Sequence, residues 1–212
     1  MTHSKNFLLY GGGLDSTALA VLLHAEGKKL TLVHIDYGQK AVRGERQSAL
    51  YFASKYGFSL GLLKADMGYS ESHIMKGAPL AINSETNRLE LRNPLLITLA
   101  ASYAASVFPD SAANRLYLGF HYEPPEACFP DARIEYLGSL ERALRLACNT
   151  PTELRAPVHT LTRTELISKA VALDPEVLTH SYTCYQETVC GKCTHCLQLE
   201  EIKKELSQDV TQ

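Results

Sequence analysis

Apolar positions fall in two alternating patterns along the chain. Residues 6–10 form a short apolar run of buried-strand length. From Asp15 or Ser16 to about Ala25, Leu19, Leu22 and Leu23 recur at helical spacing, with Gly27 as a C-terminal stop. "KLTLVHIDYG" predicts a second buried strand ending at Asp36. Residues 45–56 predict a helix closed by Gly57, and "FSLGLLKAD" predicts a third strand. Residues 66–92 are polar and irregular, as a loop over a site would be. Pro94 fits the first turn of a helix reaching about Val107. "NRLYLGFH" predicts another strand, and residues 134–147 and 164–172 predict helices, the latter capped by Thr162 or Thr164. Strands alternating with helices predict an α/β, doubly wound parallel sheet of about five strands. Ligands of such sheets bind beyond the carboxyl ends of the strands, where residues 11–16 and 36–39 lie.

Composition narrows the class. A chain of 212 residues suits one domain with a small appendage, divided here into 1–180 and a C-terminal segment 181–212. A net charge of −2 speaks against direct nucleic-acid binding, which calls for a basic surface. The apolar runs fall short of a membrane span, and the glycines at 11–13 interrupt any leader-like stretch, so the expected location is cytoplasmic.

The most informative stretch is "YGGGLDSTA", between the first strand and the first helix. A G-x-x-x-x-G-K-[ST] phosphate loop is excluded, because no Lys follows the glycines. A dinucleotide fingerprint finds G-x-G in Gly11 and Gly13 and an acid in Asp36. It lacks a third glycine, and it sets Asp15 against a pyrophosphate, so an NAD-dependent oxidoreductase fits the pattern only in part. Magnesium-ATP gives Asp15 a purpose: its carboxylate suits a hard cation, while bare backbone and a helix N-terminus suit phosphates.

Six cysteines are split. Cys128 and Cys148 stand alone as ordinary thiols, while Cys184, Cys190, Cys193 and Cys196 give C-x5-C-x2-C-x2-C. Four close thiolates suit a structural zinc, with a four-cysteine iron–sulfur cluster as the alternative. His195 lies inside the cluster, either as a replacement ligand or as a solvated loop residue. A zinc-knuckle module that senses a nucleotide without catalysis is the non-enzymatic reading of the same features.

The glycine loop resembles the S-G-G-x-D-S loop of the N-type ATP pyrophosphatases, with Gly11 in place of the usual Ser. "DYGQ" at 36–39, "LRNPLLITLAASYA", "FPDAR" at 129–133, "APV" and "TCYQ…CGKCTHC" follow in the order found in the 7-cyano-7-deazaguanine synthase family, which the chain resembles over most of its length. The resemblance implies ATP-dependent adenylation of the carboxylate of 7-carboxy-7-deazaguanine, attack by ammonia, and a second activation that gives the nitrile. It implies a homodimer. Gly11, Gly12, Gly13, Asp15, Ser16 and Thr17 would hold ATP and Mg2+, with Asp15 and Ser16 closest to the chemistry. Asp36, Tyr37, Gln39, Arg92, Asn93 and Gly119 would complete the nucleotide side, and Phe129, Asp131 and Arg133 would contact the deazapurine. Asp131 is equally suited to cap the helix that starts at Ile134. Gly11, Ala41, Ala132 and the stiffened "HYEPPEACFPDAR" depart from the family pattern, mostly at the substrate end. They leave open a paralogue that passes the activated acid to another amine on a protein or peptide, of the kind found beside bacterial defence systems.

Overall fold

The computed structural model describes residues 4–78, 89–124 and 128–209, without the side chains of 207–209. Five parallel strands, β1 (Lys5–Leu9), β2 (Leu30–Asp36), β3 (Ser59–Lys64), β4 (Asn114–Tyr117) and β5 (Thr152–Arg155), form one sheet in the order β3-β2-β1-β4-β5. Helices α1 (Leu14–Ala25), α2 (Val42–Tyr56), α3 (Arg92–Val107), α4 (Ile134–Ala147), α5 (Arg163–Leu173), α6 (Val177–His180) and α7 (Thr194–Asp209) connect the strands and complete the chain. The doubly wound α/β sheet expected from the strand–helix alternation is therefore present.

Successive strand side chains point to opposite faces, and the chain uses both. Leu8, Leu30 and Leu32 pack with Leu19, Leu23, Phe52 and Leu166 on one side. Phe7, Val33, Ile35 and Leu116 pack with Ile97, Ala101 and Leu144 on the other. Parallel strands covered on both faces read as continuous apolar runs, which is why β1 and β2 were legible. Tyr10, fully buried, ties the layers together: its hydroxyl pairs with Thr17 Oγ1 at 2.7 Å and Ser48 Oγ at 3.0 Å.

Several boundaries differ from the sequence expectation. The edge strand β5 has only four residues, and its "TELR" alternates too briefly to register. The fourth strand stops at Tyr117, and Leu118 is then held by its N–H donating to Arg155 O. Helix α2 starts three residues before Glu45, and α5 uses Thr162 as its cap, with Glu165 closing a capping box. Within 66–92 the described part is not a loose loop: Met67, Ile74 and Met75 are buried against Tyr37, and Gln39 bridges to Met75. Residues 79–88 and 125–127 of the expected loops lie outside the described residues. The C-terminal segment adds a helix that the sequence reading did not anticipate. Ile202 of α7 is 5% exposed and joins the cluster that contains Leu8. Among the described residues no helix is long and apolar enough to cross a membrane.

Candidate active site

Strand order reverses at β1, whose neighbours β2 and β4 lead away in opposite directions. This topological switch point opens a crevice at the carboxyl ends of the strands. The glycine loop leaves β1 there. Gly12 has φ +80°, in the region that favours glycine, and a Cβ on it would lie 2.6 Å from Glu45 Cα and O. Gly13 is the N-cap of α1, so the loop amides and the helix N-terminus face the same crevice. Gly119, just beyond β4, approaches the other side of the loop. Its Cβ would meet the Asp15 carbonyl and Ser16 N at 3.2 Å, so its lack of a side chain serves loop packing. At Gly11, by contrast, a Cβ would meet nothing within 4 Å.

Two of the expected site residues have their side-chain polar groups engaged inside the protein. Thr17 is fully buried beneath the loop, where its hydroxyl donates to Gly13 O and pairs with Tyr10, so its side chain supports the loop from below. Gln39 is 2% exposed with its amide engaged inside the protein: Oε1 accepts from Tyr37 N, and Nε2 donates to Ile35 O and to Glu45 Oε2. Gln39 therefore shapes the turn after β2. Ser16 stays partly exposed and donates to Gly13 O.

Asp15 is not alone. Arg163, the first residue of α5, donates from Nε to Asp15 Oδ1 at 2.9 Å and from Nη1 to Gln198 of α7. Asp36 ends β2, accepts from Gly38 N at 3.1 Å and faces Arg46 at 3.4 Å. Burial pushes the Tyr37 hydroxyl up to about 12, and Arg92 hydrogen-bonds it. Leu91, immediately before Arg92, holds φ +56°, a conformation that costs a branched residue of order 1–3 kcal/mol and marks strain at this corner. Asn93 joins two motifs distant in sequence: its N–H donates to Asp131 Oδ2 at 3.3 Å and its Nδ2 to Oδ1 at 3.2 Å. Asp131 is thus fixed by α3 from a 3-10 turn (Pro130–Ala132), and it does not cap α4. Phe129 flanks that turn, 40% exposed, and Arg133 follows it.

The four cysteine sulfurs lie within 4.8 Å of one another, with Cys184 Sγ at 3.5 Å from Cys190 Sγ and 3.9 Å from Cys193 Sγ. A tetrahedron with metal–sulfur bonds of about 2.3 Å has edges of about 3.8 Å, so the donor set fits a single zinc-sized ion. Backbone N–H groups of Gln186 and Cys190 donate to Cys184 Sγ, and that of Cys193 to Cys190 Sγ, which stabilises thiolate charge. His195 takes neither role expected of it. Its Nε2 pairs with Tyr185 Oη and its Nδ1 lies 3.2 Å from Thr183 O. Burial holds the ring neutral, lowering its pKa to about 4. Cys128 and Cys148 are free and partly exposed.

The cluster is built into the loop's support. Tyr182 N donates to Gly12 O at 2.8 Å, and the Tyr182 ring lies over Gly44, where a Cβ would come within 2.1 Å of it. Gly44→Ala is therefore expected to destabilise the fold by about 1–3 kcal/mol through overpacking, read as a lower denaturation midpoint at unchanged m. An unshifted midpoint would refute this docking.

Sequence reasoning missed Glu45, Arg163, Tyr182 and Gln198. Each sits at a helix start, in a helix or beside the cysteines, with no spacing signature, and only tertiary packing brings it to the loop.

A sequence model of the family described as "Queuosine biosynthesis protein QueC" matches residues 5–205. A 7-cyano-7-deazaguanine synthase of Hahella chejuensis is 30% identical, covering 95% of this chain and 89% of its own. One from Methanocaldococcus jannaschii is 23% identical, covering 92% of each. Among solved structures, a 4-thiouridine synthetase in complex with RNA and bound ATP aligns with a TM-score of 0.52 at 17% identity. It covers 97% of this chain and 50% of that one, a likeness of fold. The match runs through the glycine loop, the Asn93–Asp131 pair and the cysteine cluster alike, and the chain belongs to the QueC family of queuosine biosynthesis proteins, a family of synthases.

Proposed function

We propose that the protein uses ATP to adenylate the carboxylate of 7-carboxy-7-deazaguanine and transfers the acyl group to ammonia, with a second activation and loss of water giving 7-cyano-7-deazaguanine. The observation that supports this reading is a bare-backbone loop at the carboxyl end of β1, linked through Glu45 and Arg92 to the hydrogen-bonded Asn93–Asp131 pair. The loop suits phosphates. The pair suits a guanine-like N–H edge, because a carboxylate that accepts two hydrogen bonds keeps lone pairs for more.

In this reading the amides of Gly11, Gly12 and Gly13 and the N-terminus of α1 hold the phosphates. Asp36 and Tyr37 border the nucleoside, with Arg92 beside Tyr37. Phe129 offers a stacking face and Arg133 a counter-charge for the acid. Asp15 is the carboxylate that would hold magnesium together with substrate phosphates, and the ion, when bound, would supply charge neutralisation for the pyrophosphate. Arg163 orients that carboxylate. The four cysteines would hold zinc as a structural ion.

Leu91, Leu95, Phe129 and Ile134 leave large apolar side chains exposed on the two segments that Asn93 and Asp131 join. That rim favours, as a second reading, an amine presented by a peptide or protein. One incubation separates the two: ATP, magnesium and the acid, with ammonium or with a peptide amine, followed by mass. Amide and nitrile formed with ammonium support the synthase. AMP released without either overturns ammonia as the acceptor, and no AMP at all overturns the acid.

Since a side chain at Gly11 meets open space, Gly11→Ser is expected to leave the melting temperature unchanged. It adds one hydroxyl donor worth about 1 kcal/mol, or about fivefold in ATP affinity by calorimetry. Weaker binding would show that Gly11 approaches the ligand too closely for any Cβ.

A further inference from the structure

Glu45 is a titratable group in the crevice with no part in the scheme above. It sits in the first turn of α2, its backbone against Gly12 and its Oε2 accepting from Gln39 Nε2 at 2.7 Å. The charged and titratable groups that face it come from every neighbouring element: Asp36 at the end of β2, Tyr37 beyond it, Arg92 from α3 and Tyr182 from the cysteine segment. Arg92 in turn reaches toward Asp131. The backbone of Glu45 thus touches the loop proposed for phosphates, and its carboxylate faces Arg92, which links it to the pair proposed for the deazapurine.

We propose that Glu45 is the general base of the amine-transfer step, an assignment that rests on the adenylation reading above. Ammonium gives one proton to the Glu45 carboxylate. The freed lone pair of nitrogen forms the C–N bond at the acyl carbon. The bond from that carbon to the phosphate oxygen breaks, and AMP leaves with the electron pair. The second proton lost from nitrogen goes to solvent, and Glu45 returns its own proton there before the next turnover. Burial pushes the Glu45 carboxyl up to about 7, with Asp36 adding to the rise and the Gln39 hydrogen bond and Arg92 opposing it. An acid poised there is ionised enough to accept a proton at neutral pH and basic enough to take one.

Hydroxylamine, uncharged at neutral pH, attacks an adenylate without a base and gives a hydroxamate. The test compares amide formed from ammonium with hydroxamate formed from hydroxylamine, in the intact protein and in Glu45→Gln, which keeps an acceptor for Gln39. The expected result is a fall of at least about 100-fold in the amide-to-hydroxamate ratio. Glu45→Asp is expected to recover most of that ratio. In the unsubstituted protein the ammonium rate, corrected for the fraction present as ammonium, is expected to rise through an ionisation near pH 7 that the hydroxylamine rate never shows. Equal loss of both products in Glu45→Gln, or an unchanged ratio, overturns Glu45 as the base while leaving adenylation standing. Hydroxamate without any amide in the unsubstituted protein overturns ammonium as the nucleophile and this role with it. No hydroxamate in the unsubstituted protein overturns the adenylation reading itself.

Discussion

With zinc at Cys184, Cys190, Cys193 and Cys196 as proposed, a chelator is expected to lower the melting temperature by about 10–20 °C and to weaken ATP binding even where the chain stays folded. A structural zinc site contributes on the order of 10 kcal/mol of apparent binding energy, most of it realised as folding. Losing ~5 kcal/mol of that in a chain of this length moves the midpoint by about 10–20 °C. The effect on ATP follows from two bridges. Tyr182, two residues before Cys184, holds Gly12 O through its N–H, and Gln198, two residues after Cys196, holds the Arg163 that pairs with Asp15. When the cluster opens, both ends of the loop lose a support. Cys193→Ser, at a fully buried sulfur, is expected to reproduce both effects. Elemental analysis is expected to give one zinc per chain. Iron in its place, or a melting temperature and ATP affinity that ignore the chelator, would overturn the assignment.

Asp15→Asn is expected to reduce turnover by about 100-fold or more, while the melting temperature stays within about 2 °C. The side chain is 30% exposed and its ion pair with Arg163 lies at the crevice, so its loss from the folded chain costs little. The loss of a metal-holding carboxylate removes several kcal/mol of transition-state stabilisation, and each 1.36 kcal/mol is about tenfold in rate. The ion pair supplies an internal control. If Asp15 serves only to position Arg163, then Asp15→Asn and Arg163→Ala cost the same and their combination adds nothing. If Asp15 holds the metal, only Asp15→Asn raises the magnesium concentration needed for half-maximal rate. Full turnover in Asp15→Asn would remove the loop from the catalytic assignment.

The sheet was legible because β1 and β2 are buried on both faces and therefore run continuously apolar, and because a glycine loop between a strand and a helix needs no tertiary partner to be recognised. The cysteine cluster was legible for the same reason: ligands for one ion held by a tight turn must be close in sequence. The short edge strand β5 and the helix α7 were not, since four residues are too few to show a period, and α7 follows a segment whose spacing already spoke of metal. The inward-turned polar groups of Thr17 and Gln39 were not legible either, because burial is invisible in a motif. By itself, then, the sequence determined the strand–helix alternation of the first three strands, the loop and the spacing of the cysteine cluster, all of which are local patterns. Only the tertiary structure brought Arg163 to Asp15, Asn93 to Asp131, and Tyr182 and Glu45 to Gly12, because contacts between residues far apart in the chain depend on how the helices pack around the carboxyl ends of the strands and leave no periodic trace.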